Sequence, residues 1–145
     1  MRILITNDDG IQSPGIQELS RHIESAGYEV VVVAPDHDAS GTGTSLGRIS
    51  SEEPVNVSRH SIPGLRAEAY GISGSPALCV VTGYLEAFGP VPDVVVSGIN
   101  AGLNTGRSTL HSGTVGAALA AQNFGIHGIA VSLDGSYEWQ WETAA

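Results

Sequence analysis

The chain has 145 residues, 41% of them hydrophobic and 14% charged, with six basic side chains against fifteen acidic and a formal net charge of −9. That size suits one domain with a sizeable core, and the acidic balance excludes a nucleic-acid backbone or an anionic membrane as the natural partner, since both require a cationic face. All six basic residues are arginine, which removes a P-loop lysine and every lysine-based covalent mechanism.

In chain order, Arg2–Thr6 (RILIT) reads as a buried strand and residues 14–26 as a helix, opened by Pro14 and stopped by Gly27. Glu29–Pro35 (EVVVVAP) is a second strand, followed by a polar, glycine-rich loop over 36–47. Residues 54–60 and 65–72 flank "SIPG" and predict a β-hairpin. A helix is expected over 76–88, ending at Gly89-Pro90, then a buried strand over 93–100 (DVVVSGIN). A second glycine-rich loop over 101–111 leads into a small-residue helix at 113–124 and a last strand at 128–133. Thr143 and the two alanines after it look like the onset of a helix, so a longer natural chain is expected, with Trp139 and Trp141 as packing or interface residues.

Continuous Val/Ile runs alternating with helices predict an α/β fold: a three-layer, Rossmann-like sandwich around a mostly parallel sheet, with the β-hairpin added, all in one domain over 1–145. Ligands in such folds bind outside the carboxyl ends of the strands. Three of these strands run into unusual polar loops, "TNDDG", "PDHDASGTGTS" and "SGINAGLNTG", which all open on that edge. Cys79 is the single cysteine, so no intramolecular disulfide forms, and its apolar setting (PALCVV) marks a core residue. No signal-peptide pattern or membrane-length apolar run is present, so a cytoplasmic location is expected.

Asp8 and Asp9 are adjacent, and on a regular strand they would face opposite ways. At a strand end, with Gly10 allowing a turn, both can converge on one point. Two carboxylates so placed can share a proton or hold a hard cation; the bland use of the same residues is a turn or a cap for the helix near Pro14. Ser40 in the second loop and Asn100 at the end of the third buried strand supply further oxygen donors on the same edge. These four form an all-oxygen set suited to Mg²⁺, Mn²⁺ or Ca²⁺ rather than Zn²⁺. Ser112, Gly113 and Thr114 stand where a glycine-bearing loop becomes a helix, a place where free backbone N–H groups accept an anion and where hydroxyls also serve as ordinary caps.

A divalent ion beside an anion cradle points to phosphoryl chemistry, because the ion lets an acidic protein hold phosphate. The Asp-x-Asp nucleophile of haloacid-dehalogenase-type phosphatases is absent, since the spacing here is Asn7-x-Asp9. His111 lies in the candidate site loop, where it serves as a general acid/base, a phosphate contact or an orienter of the loop.

The stretches ILITNDDGIQSPGI, VVAPDHDASGTGTSL, SGSPALCV and VSGINAGLNTGRSTLHSGTVGAALAA together resemble the survival protein SurE family, divalent-metal-dependent nucleoside monophosphate phosphatases. The resemblance implies a metal held by Asp8, Asp9, Ser40 and Asn100, with phosphate or substrate contacts from Asn7, Gly41, Asn104, Ser112, Gly113 and Thr114. It also implies 5′- and 3′-nucleotidase activity, some action on polyphosphate, and assembly into dimers or tetramers through a C-terminal segment. Where the family commonly has Asp in Gly-Thr-Pro-Ala-Asp-Cys-Val, this chain has Leu78, which removes a carboxylate. On this reading Asp8 or Asp9 also handles the proton of an attacking water.

Overall fold

The computed structural model describes residues 1–135 and 138–145. Its elements in chain order are β1 (Arg2–Thr6), α1 (Pro14–Ser25), β2 (Glu29–Pro35), β3 (Val57–His60), β4 (Ala69–Ile72), α2 (Pro76–Tyr84), β5 (Val94–Ala101), a 3-10 turn (Gly106–Leu110), α3 (Gly113–Asn123), β6 (His127–Leu133) and the short α4 (Trp141–Ala144). The strands form one sheet in the order β3-β4-β2-β1-β5-β6, parallel throughout except for the β3–β4 pair at one edge.

Alternation along the buried strands builds two cores, one on each face of the sheet. Ile3, Ile5, Val30, Val32 and Val96 pack with Ile16 and Leu19 of α1, while Leu4, Val31, Val33 and Val95 pack with Leu78 and Val80 of α2 and Ala117 and Ala121 of α3. Small residues let these layers approach closely: a Cβ on Gly83 of α2 would run into the Leu4 side chain, and one on Gly116 of α3 into the Gly43 carbonyl. These observations bear out the expected α/β sandwich.

The expected hairpin is present, and it is part of the main sheet. β4 pairs parallel with β2, and β3 closes the edge antiparallel to β4. α2 stops at Tyr84, four residues before the sequence pattern predicts. Glu86 adopts φ of 60°, its N–H bonds to Gly83 O at 3.1 Å, and the Ala87 N–H bonds to Thr82 O at 3.1 Å. That is a Schellman ending with a glutamate in the left-handed position where glycine is the usual occupant. The freed Phe88 ring then packs on Tyr70 with centroids 4.6 Å apart. Near the chain end, the rings of Trp139 and Trp141 stack at 5.0 Å. Trp141 packs on the α1-side core and is partly buried, and Trp139 stays 43% exposed, so the pair are packing residues left partly uncovered.

Candidate functional site

β1 ends at Thr6, and the next four residues build the turn that carries the two carboxylates. Asn7 is fully buried, and its amide nitrogen donates to Gly10 O at 3.0 Å and Ser13 Oγ at 2.7 Å, drawing the turn onto the start of α1. Gly10 has φ of 94°, and a Cβ there would sit 3.0 Å from the His37 carbonyl oxygen, so the position requires glycine on both counts. The Ala39 N–H bonds to Asp8 O at 2.7 Å, which ties the loop after β2 to the carboxylates.

From the other side, β5 shifts register against β6 between Ser97 and Asn100, and the Gly98–Ile99 peptide is cis. Beyond the shift, the Ala101 N–H donates to Asp9 Oδ2 at 3.1 Å, and the Asn100 amide nitrogen donates to Gly102 O at 2.7 Å. With its nitrogen committed to backbone, Asn100 keeps its amide oxygen for a ligand. α3 enters from below: Ser112 Oγ accepts from Val115 N at 3.1 Å as the helix cap, and Thr114 Oγ1 donates to Asp8 Oδ1 at 2.6 Å. Gly113 lies against the same carboxylate, where a Cβ would stand 2.7 Å from Asp8 Cβ and 3.0 Å from Oδ2.

These segments enclose a cleft of about 220 Å³ lined by Asp8, Asp9, Ser40, Gly41, Asn100, Ala101, Asn104, Ser108, His111 and Ser112. Eight of the eleven residues singled out from the sequence therefore share one wall system. Asn7, Gly113 and Thr114 do not line it; they lie underneath and hold it in shape. Asn104 turns its amide nitrogen to Ser132 Oγ at 2.8 Å.

Burial pushes the Asp9 carboxyl above the ordinary carboxylate range; the Ala101 N–H opposes this, and the charges of Asp8 and Asp38 reinforce it. Asp38 itself is held low by the Ser40 hydroxyl and N–H. Among the described residues, no arginine lines the cleft. A part-buried cluster of carboxylates without a cation is electrostatically incomplete, and that is the sense in which these residues fit a divalent ion. No group of three or more His, Cys, Asp or Glu side chains among the described residues converges as a metal set. A cation would rest on Asp8, Asp9, the Ser40 hydroxyl and the Asn100 amide oxygen, an oxygen set for a hard ion.

Two cleft features escaped the sequence reading. Asp38, two residues before Ser40, acts on the site through its charge and through Ser40; the repeated Asp of "PDHDAS" was the available signal. Ser108 lines the cleft from the 3-10 turn, and a lone serine in a loop carries no periodicity that would mark it. Three other sequence features lie elsewhere. Leu78 is 4% exposed and packed in the α2-side core, so the missing carboxylate leaves the cleft wall untouched. Burial pushes the Cys79 thiol up to about 12, which leaves it inert at neutral pH. The stretch GTSLG at 43–47 spells G-x-S-x-G, yet it is irregular loop with exposed Ser45, without the strand and helix that make a nucleophile elbow.

A mostly parallel sheet with helices on both faces, and an acidic, oxygen-lined cleft over the carboxyl ends of its strands, define a Rossmann-like protein. The family model for Survival protein SurE matches residues 3–145, and the chain belongs to that family. It is 45% identical over 133 residues to the 5′-nucleotidase SurE of Desulfitobacterium hafniense, covering 92% of this chain and 51% of that protein. To the 5′-nucleotidase SurE of Dehalococcoides mccartyi it is 47% identical over 135 residues, covering 92% of this chain and 49% of that protein. The crystal structure of the SurE protein from Aquifex aeolicus superimposes with a TM-score of 0.80 at 40% identity, over 98% of this chain and 54% of that one. The chain spans about half the length of the relatives it matches. No described helix is long and apolar enough to cross a membrane.

Proposed function

We propose that the cleft is the active centre of a divalent-metal-dependent phosphatase that hydrolyses nucleoside monophosphates, as a 5′-nucleotidase and also on 3′-phosphates. One observation carries this reading: two carboxylates, a hydroxyl and an amide oxygen line one cleft with Ser112, the N-cap of α3, and among the described residues no arginine lines it. The 5′-nucleotidase names of the relatives support the same substrate class.

Asp8, Asp9, Ser40 and Asn100 would hold Mg²⁺ or Mn²⁺. A cation there supplies Lewis-acid polarisation of a phosphoryl oxygen and a lowered pKa for water. The protein's own part is positioning and charge balance. Ser112, whose hydroxyl proton is not needed for capping, donates to phosphate, and the first N–H groups of α3 add their dipole to the same oxygens. His111 and Asn104, which line the same cleft, would contact the substrate. Asp8 or Asp9 would also accept the proton of the attacking water. An apolar cavity of about 330 Å³, lined by Leu110, Val115 and Leu119 among others, shares Ser112 with the cleft and suits a nucleoside.

Phosphate release from nucleoside monophosphates, measured with EDTA and then with added Mn²⁺ or Mg²⁺, tests the reading. Turnover abolished by the chelator and restored by the metal is expected. Mn²⁺ binding without turnover would reduce the site to a non-catalytic metal- or nucleotide-binding module. Absence of both would favour an interaction protein whose oligomeric surface is its function.

A further inference from the structure

Ser112 and Thr114 stand two residues apart at the start of α3, and their hydroxyls have different fates. Ser112 lines the cleft and accepts the Val115 N–H, so its own proton is available to a ligand. Thr114 is fully buried, and it gives its one hydroxyl proton to Asp8 Oδ1 at 2.6 Å. Unprotonated phosphate oxygens are acceptors, so the Thr114 hydroxyl has nothing to donate to them while this bond stands. The bond joins the end of β1 to the start of α3 across 106 residues of sequence, and the carboxylate it holds is only 3% exposed. Gly113 closes on the same side chain, and a Cβ on Gly113 would meet Pro76 at 3.1 Å as well. Asp8 is thus gripped by Thr114 while packed against Gly113, whereas Asp9 is held by one backbone N–H, that of Ala101.

We propose that the Thr114 side chain positions Asp8 and makes no contact with substrate. It fixes Oδ1 and leaves Oδ2 as the oxygen that Asp8 presents to a cation. Hydroxyl donors of this kind orient metal-binding carboxylates, and their removal costs about 10–100-fold in metal affinity or activity. The inference rests on the cation site proposed above and assigns a different job to one of the residues that the family resemblance placed on phosphate.

The test compares Thr114→Ser, Thr114→Ala and Thr114→Val in the full chain, with folding followed by circular dichroism. Two constants are read: Mn²⁺ affinity by calorimetry, and inorganic phosphate affinity at saturating Mn²⁺. Ser and Ala both lack the methyl group and differ only in the hydroxyl, so that pair isolates the hydrogen bond; Val keeps the branch but sets a methyl against Asp8 Oδ1 in place of the donor. The expected result is a fall in Mn²⁺ affinity of about 10–100-fold for Ala and Val, near-native affinity for Ser, and unchanged phosphate affinity in all three. Equal Mn²⁺ affinity in Ser and Ala overturns the proposal. So does a variant that loses phosphate affinity while keeping Mn²⁺ affinity, because that is the signature of a direct phosphate contact. If the wild-type chain binds no Mn²⁺, the cation site itself fails, an outcome distinct from a wild type that binds Mn²⁺ with equal affinity in all the variants.

Discussion

At the amino end of the sheet, carboxylates come with partners. The Arg2 guanidinium pairs with Glu29 and donates to the Phe88 carbonyl at 2.7 Å, while its backbone N–H reaches Asp93 Oδ2 at 2.7 Å. Glu68 has Arg59 and the Tyr70 hydroxyl, and Glu24 takes the N–H groups of Arg66 and Ala67. At the carboxyl end, the same strand β1 runs into Asp8 and Asp9, and the cleft they share has no arginine in its lining. Folding favours the first arrangement and gains nothing from the second, since part-buried like charges raise each other's free energy. The difference separates residues paired within the fold from residues that, on the proposal above, would be completed by a cation.

The largest break in this contrast is Asp8→Asn. The amide oxygen can still accept the Thr114 bond, so the apo fold is expected to survive, with thermal stability equal to or above the wild type because a repulsion is gone. Metal-dependent phosphate release should fall by about a hundredfold or more, since even outer-shell partners of a metal site cost about 10–100-fold when removed. Full Mn²⁺-dependent turnover in this variant would show that the carboxylates are not the site.

A pair of glycine substitutions sharpens it. Gly113→Ala forces a methyl to within 2.7 Å of Asp8 Cβ, and overpacking of that kind costs about 1–3 kcal/mol. Stability and turnover should fall together. Gly27→Ala, at the other end of α1, meets nothing within 4 Å but needs φ of 90°, which costs roughly 1–2 kcal/mol. Its melting temperature should drop while kcat/KM stays at the wild-type value. Equal effects of the two on turnover would erase the distinction between the ends.

Arg2→Met belongs to the amino end alone. It leaves the Phe88 carbonyl without its donor and removes the Glu29 pair, whose carboxylate is 63% exposed and so contributes little. A loss of about 1 kcal/mol is expected by denaturant titration, with turnover per folded molecule unchanged.

How much of this was legible in the residues follows the same divide. The Val/Ile runs announced the sheet, and Pro14 and Gly27 bracketed α1, because hydrophobic periodicity and cap chemistry are local signals. The early end of α2 was hidden because Glu86 takes a backbone conformation that sequence patterns reserve for glycine. At the site, Asp8, Asp9, Ser40 and Asn100 were readable as oxygen donors at strand ends, but direction was not. Nothing in "HSGTV" says that Ser112 opens onto the cleft while Thr114 turns beneath it to Asp8. That depends on how α3 is seated, which Gly116 against the Gly43 carbonyl and Gly113 against Asp8 decide.

The smallest expected effect sits at Glu24, near the end of α1, and its sign follows from its partners. The Arg66 N–H holds this carboxyl below its ordinary value of 4.5; burial opposes, while the Ala67 N–H and the Arg66 charge assist. A carboxylate whose pKa is depressed on folding contributes stability that is fully present above the unfolded value and is lost as pH falls through the folded one. Glu24→Gln should therefore lower the melting temperature slightly at neutral pH, and the gap from wild type should stay constant down to about pH 5.5 and then close below 4.5. Wild type and variant share every other titrating group, so the difference isolates this one carboxylate. A gap that instead widened in acid would mean that Glu24 resembles Asp9, pushed up by burial, and the two ends of the sheet would then treat their carboxylates alike.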